Sequence, residues 1–177
     1  MNKSSVAAVV AIGAVVLLAP ASVRAQVLPS PPWGEPINTP DRFVVLASYN
    51  GEAVYDSETG LVWETSPFAE AQTWMAAHFY CNNKNLGNRR AWRLPALQEL
   101  ESLIDPSVPP TDPPPLPAGH PFGNVQAGFY WSATTNAGDT NLAWVVGFFS
   151  DGFGSYFPKA NSYHVWCVRG GKGADAQ

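Results

Sequence analysis

The chain has 177 residues, 46% of them hydrophobic and 14% charged, and a net charge of −4. That is the length of one domain able to bury a sizeable core. The acidic balance argues against nucleic acid and anionic membranes as partners, since both select basic surfaces.

The start of the chain sets the expected compartment. Lys3 precedes an apolar run from Val6 to Ala19, closed by Pro20, and Val23-Arg24-Ala25 offers a small-residue cleavage site before Gln26. Residues 1–25 therefore read as a secretory signal peptide. An uncleaved anchor is the alternative, but the run is short for a ~30 Å hydrocarbon core. No later segment is long and apolar enough to span, so no membrane span is expected after cleavage. Removal takes Lys3 and Arg24 and no acid, so the charge of −4 becomes −6.

Residues 26–42 hold Pro29, Pro31, Pro32, Pro36 and Pro40 and read as an extended lead-in. Phe43 to Leu46 is a short strand. Residues 53–63 form a hairpin around Ser57-Glu58-Thr59-Gly60, with Gly60 supplying a positive φ. Asp56 and Glu58 are conceivable cation ligands there, but acids suit turns anyway. Ser66-Pro67 has the chemistry of a helix start, and Phe68, Ala71, Trp74 or Met75, His78 and Cys81 follow at helical spacing. His78 lacks a partner at metal-pair spacing. The first helix should end between Asn82 and Asn88. The nearby Lys84, Arg89, Arg90 and Arg93 read as a solvated loop in preference to an anion site.

Residues 91–105 predict a strand-like entry into a second helix with Leu97, Leu100 and Ile104 facing inward. Glu99 and Glu101, two apart, fall on different helix faces and make a poor acid/base dyad. From Pro106 to Pro121 eight of sixteen residues are proline, which predicts a stiff surface loop. Strand-like runs follow at 129–134, 141–149, 155–158 and 163–170, with Asp151-Gly152 as a hairpin turn. Two helices followed by an antiparallel meander give an α+β domain.

The two cysteines, Cys81 and Cys167, are an even, minimal count in an exported chain, which favours a disulfide. The competing readings lack partners. A nucleophilic Cys167 has only His164 near it in sequence, on the opposite strand face, and no zinc-ligand spacing occurs. The bond would tie the end of the first helix to the last strand. No metal or cofactor is expected, and no catalytic residue stands out.

The segments DSETGLVWE, AWRLPALQELESLID, FYWSAT and VWCVRGG, in that order, resemble the landmarks of the Lcl C-terminal-domain-like family of exported bacterial proteins. The resemblance runs over residues 43–171 and leaves 172–177 as a tail. It implies a C-type-lectin-like fold, two helices on a twisted antiparallel sheet, with a first-helix-to-last-strand disulfide where Cys81 and Cys167 fall. It also implies a periplasmic or surface location, and its namesake is an adhesin domain that binds sulfated polysaccharide. Two departures matter. Leu94-Pro95-Ala96 lacks the cap hydroxyl expected at its third position, and neither Glu-Pro-Asn nor Trp-Asn-Asp, the calcium-and-sugar triplets of true C-type lectins, is present.

Trp63, Trp74, Trp92, Trp131, Trp144 and Trp166 lie within or beside predicted elements and are read as core. The candidate ligand-binding residues are Asn136, Asp139 and Asn141 in one loop and Asp151, Phe153 and Tyr156 on the glycine-rich hairpin. The leading expectation is a non-catalytic exported binding module for a glycan or an envelope component. The alternatives are an enzyme of the formylglycine-generating-oxidase type, which needs a free copper-binding cysteine pair, and a structural subunit of an envelope assembly. Oligomeric state is not legible.

Overall fold

The computed structural model describes residues 42–149 and 152–171. The expected signal peptide, the lead-in up to residue 41, Asp151 and the tail lie outside the described residues. In chain order come β1 (Phe43–Val45), a 3-10 turn (Ala47–Tyr49), β2 (Ala53–Asp56), β3 (Val62–Glu64), β4 (Phe68–Thr73) and α1 (Trp74–Asn83). Then follow β5 (Trp92–Arg93), α2 (Leu97–Glu101), β6 (Phe129–Thr135), β7 (Leu142–Gly147), β8 (Gly154–Pro158), β9 (Ser162–Val165) and β10 (Val168–Arg169). The strands form two five-stranded sheets, β1-β2-β3-β10-β5 and β4-β9-β6-β7-β8. The fold is α+β, as expected. Among the described residues no helix is long and apolar enough to cross a membrane.

The β2–β3 hairpin forms as predicted. Gly60 takes φ +71° at its turn, and Asp56 receives both the Glu58 N–H (3.0 Å) and the Thr59 hydroxyl (2.9 Å). The remaining capacity of Asp56 goes to Arg42, whose Nε and Nη2 donate to it at 3.0 and 2.9 Å with both side chains buried. Arg42 Nη1 also lies 3.1 Å from Glu58. These two acids lock a turn to a buried cation. Their reading as cation ligands is closed.

The first helix starts later than its sequence suggests. Phe68–Thr73 is a strand because its backbone finds a distant partner: Phe68 pairs with Val165, Gln72 with Tyr163 and Thr73 with Ser162, across a bulge. Ser66 and Pro67 therefore lead into a strand, and Thr73 caps α1 by accepting from the Ala76 N–H. Two indoles fix this junction to β6: Trp74 Nε1 donates to the Ser132 carbonyl (2.9 Å) and Trp131 Nε1 to the Gln72 carbonyl (2.8 Å). At ten residues α1 is below the ~12–15 that give marginal stability in isolation. It buries only Ala77 and Cys81 fully. The Cys81–Cys167 disulfide, with Cα atoms 5.4 Å apart, ties it to the crossing between the two sheets.

Ala96 caps α2 without a hydroxyl. Glu99 accepts from the Ala96 N–H at 2.8 Å, the half of a capping box that does not need one. Thr134 of β6 supplies the missing oxygen from across the fold, accepting from the Leu97 N–H at 3.0 Å.

The predicted meander holds for β6-β7-β8 but not for the last strand. Residues 163–170 split: β9 returns beside β6 in parallel, with Tyr130 opposite His164, and also pairs with β4. The chain then leaves that sheet, and β10 enters the other between β3 and β5. Trp166 and Cys167 make the crossing. Trp166 is fully buried, with its ring 4.9 to 5.8 Å from those of Trp63, Phe122, Tyr130 and Phe148. Trp63, Trp92 and Trp131 are likewise core, whereas Trp74 and Trp144 are half-buried.

Candidate functional site

The chain past α1 turns on Gly87 at φ +53°, where a Cβ would come within 2.5 Å of the Tyr49 Cα. Only glycine fits there. Leu86 and Arg89 exchange backbone hydrogen bonds across the turn, which folds Leu86 back toward the helix. A groove of about 570 Å³ opens between this turn, β4 and the outer face of α1. Its apolar wall is Phe68, Ala76, Phe79, Tyr80 and Leu86. Phe79 is 72% exposed, an unusual placement for a phenylalanine beside a cavity. Phe68 and Tyr80 pack with ring centroids 4.5 Å apart, which fixes the tyrosine plane. Gln72, Asn83 and Asn85 add amides. Asn83 donates to the Phe79 carbonyl at 2.8 Å, while the Gln72 and Asn85 side chains make no hydrogen bond among the described residues.

Lys84, the first residue past α1, lines this groove and a second cavity of about 320 Å³ bounded by Gly51, Glu52, Glu64, Thr65, Ser66 and Leu86. Its ammonium is paired with Glu64, donates to the Tyr80 hydroxyl at 2.7 Å and lies 4.5 Å from the centre of the Tyr80 ring. Glu64 is 1% exposed. Its other oxygen accepts the Cys167 N–H at 2.8 Å. Burial pushes the Glu64 carboxyl above its ordinary range, against the Lys84 charge and the Cys167 N–H, which act to lower it. Burial alone would lower Lys84, but the Glu64 carboxylate and then the Tyr80 hydroxyl outweigh it and hold the lysine protonated. Because Lys84 N–H also donates to the Cys81 carbonyl, this ion pair joins the two half-cystine segments a second time.

Arg89 and Arg93 of the 84–93 cluster are also engaged, which corrects the solvated-loop reading for them, while Arg90 is exposed. Arg93 binds Glu99 through both nitrogens at 2.7 Å, and Arg89 donates to the Ser48 carbonyl and covers the Tyr49 ring at 4.4 Å. The Ser48 carbonyl comes from a distant segment, and Arg93 reaches the equally distant Gly170 carbonyl at 2.8 Å besides its near neighbour Glu99.

The residues expected to bind ligand fall into two places. Asn136 accepts from the Gly138 and Asp139 N–H groups at 2.8 and 3.1 Å, and Asp139 takes the Asn141 N–H and amide at 2.9 and 3.0 Å. These side chains build their own loop at the start of β7. Phe153 sits beyond the far end of that strand, where its carbonyl accepts from Gly147. It is 45% exposed and edge-on to Phe129 and Phe149. The register Leu142↔Pro158 to Val146↔Gly154 puts about four residues, roughly 13 Å, between the two ends. Tyr156 lies between, against Trp144 at 5.1 Å. Asp151 lies outside the described residues. The described members of the set thus fall at the two ends of β7 and between them. The α1 groove, in contrast, was not singled out from sequence; the only signal was Phe79 lying off the stripe of apolar positions that the helix buries.

Among the described residues no group of three or more His, Cys, Asp or Glu side chains is placed to hold a metal ion. No curated protein matches the chain. The model of the Lcl C-terminal domain matches residues 52–169, which takes in every groove-lining residue except Gly51. The chain belongs to the Lcl C-terminal domain family.

Proposed function

We propose that this is an exported, non-catalytic binding module of C-type-lectin-like class, and that its α1 groove takes a saccharide. The carrying observation is the groove wall: exposed Phe79 beside a fixed Tyr80, with the unengaged amides of Gln72 and Asn85 around them. Sugar rings present C–H faces that lie against aromatic planes and hydroxyls that pair with amides. A concave, mainly apolar site with a few convergent polar groups is the general form of a small-ligand pocket. The disulfide supports the non-catalytic part of the reading: with Cys81 and Cys167 joined, an oxidase of the formylglycine-generating type lacks its thiol pair.

A glycan-array screen with Phe79→Ala alongside tests this. Hits lost on Phe79→Ala, with the melting temperature unchanged, are expected, because the exposed ring contributes little to the core. Hits that survive the substitution would place the site elsewhere, and no hits at all would remove the saccharide reading. One observation favours an envelope-protein partner instead: Met75, one turn before Phe79, is 69% exposed. A pulldown from envelope extract that Met75→Ser abolishes would select that reading.

A further inference from the structure

The two cavities are not independent, and their junction constrains the ligand. We infer, resting on the saccharide reading, that the ligand is an uncharged oligosaccharide of at least two units lying across Lys84 from the aromatic cavity into the second one. Lys84 and Leu86 line both cavities, so the two share these side chains as a common wall. The halves differ in chemistry. The first offers aromatic faces. The second has no aromatic residue among the described residues that line it and offers Thr65, Ser66 and Glu52. One unit would stack at Phe79 and Tyr80, and the next would meet hydroxyl and carboxylate acceptors for its own hydroxyls.

Charge excludes a sulfated or phosphorylated unit at the junction. The one cation there among the described residues, Lys84, is already matched by Glu64 and the Tyr80 hydroxyl. Glu52 adds an exposed negative charge beside it, its carboxylate reached by the Gly87 N–H at 3.4 Å. An incoming anion would meet a neutralised pair and an unmatched carboxylate, in a chain of net negative charge. Hydroxyl groups meet no such penalty, because carboxylates accept from them.

Titration calorimetry with gluco-, manno- and chito-oligosaccharides of one to four units, each beside its sulfated counterpart, tests the inference. Affinity is expected to rise about tenfold from one unit to two or three and then level off, as the second cavity is filled. Sulfation should weaken binding. Ser66→Leu, a change at an exposed position in the second cavity, should remove the gain from length, with its melting temperature confirming the fold. Equal affinity for one and three units, tighter binding of the sulfated forms, or no binding of any neutral series would overturn the inference. If the array finds sulfated glycans alone, the saccharide reading stands while this one falls. If it finds no glycan, both fall.

Discussion

At the start of β7, Asn136 and Asp139 hold four hydrogen bonds from their own loop. Beside α1, the side-chain amides of Gln72 and Asn85 hold none among the described residues, on a wall that exposes Phe79. Both surfaces are rich in amides, yet they differ in what those amides are committed to. Asn and Asp in short loops satisfy nearby backbone N–H groups, which is why turns select them. A binding surface needs the opposite: polar groups placed by a rigid frame and left without an internal partner. Around α1 that frame is the disulfide, the Glu64–Lys84 pair and the two indole bonds to β6.

The comparison breaks most visibly at the ion pair. Lys84→Met leaves the Glu64 carboxyl buried without its counter-ion, and the expected loss is about 3–5 kcal/mol in chemical denaturation. Glu64→Gln added to it should restore a good part, since glutamine can still accept the Cys167 N–H. A double variant as unstable as the single would mean that packing of the lysine stem, not charge, holds the groove floor.

Next is the disulfide. Cys81→Ser and Cys167→Ser should each lose roughly 2–5 kcal/mol, and the double variant little more, because one bond can be lost only once. Hydrogen exchange sharpens the contrast: amides of 76–86 should lose protection while those of 136–141 keep theirs. Unequal losses that add in the double variant would contradict a purely structural bond.

A smaller effect is expected at the β7 loop. Asn136→Ala and Asp139→Ala should each cost about 0.5–1.5 kcal/mol, the value of ordinary hydrogen bonds, and leave the glycan-array profile unchanged. A profile altered by either substitution would reverse the assignment of the two surfaces.

The smallest effect tests a histidine that lines neither cavity. Burial lowers the pKa of His120, whose ring stacks on Phe122 with centroids 5.9 Å apart. The unfolded chain therefore takes up the proton first. This histidine's contribution to stability is present at neutral pH and is lost as pH falls below 6.5, its ordinary value, through its lower folded value. His120→Gln should flatten that part of the melting-temperature profile between pH 7.5 and 5. An unchanged slope would mean that the ring is as well solvated folded as unfolded.

Several elements were legible because their causes are local. The β2–β3 hairpin follows from alternation around a glycine turn, and α2 from the spacing of Leu97 and Leu100, although the helix ends at Glu101 and leaves Ile104 beyond it. Where sequence misled, a distant partner had decided. Ser66-Pro67 carries helix-start chemistry, but pairing with β9 made the next six residues a strand and left the cap to Thr73. The missing hydroxyl at Ala96 looked like a defect until Thr134 supplied one from β6.

By itself the sequence determined an α+β domain, its landmark segments and a disulfide between its two cysteines, because apolar periodicity, turn chemistry and cysteine count act over a few residues or need no geometry. Only the tertiary structure decided where the polar groups ended up. Arg42 reached Asp56, Glu64 reached Lys84 and the Cys167 backbone, and the β7 loop turned its amides on itself. The same residue types were left open beside Phe79. Whether an amide is available to a ligand depends on which other groups lie within about 3 Å of it, and that distance is set by the packing of segments far apart in the chain.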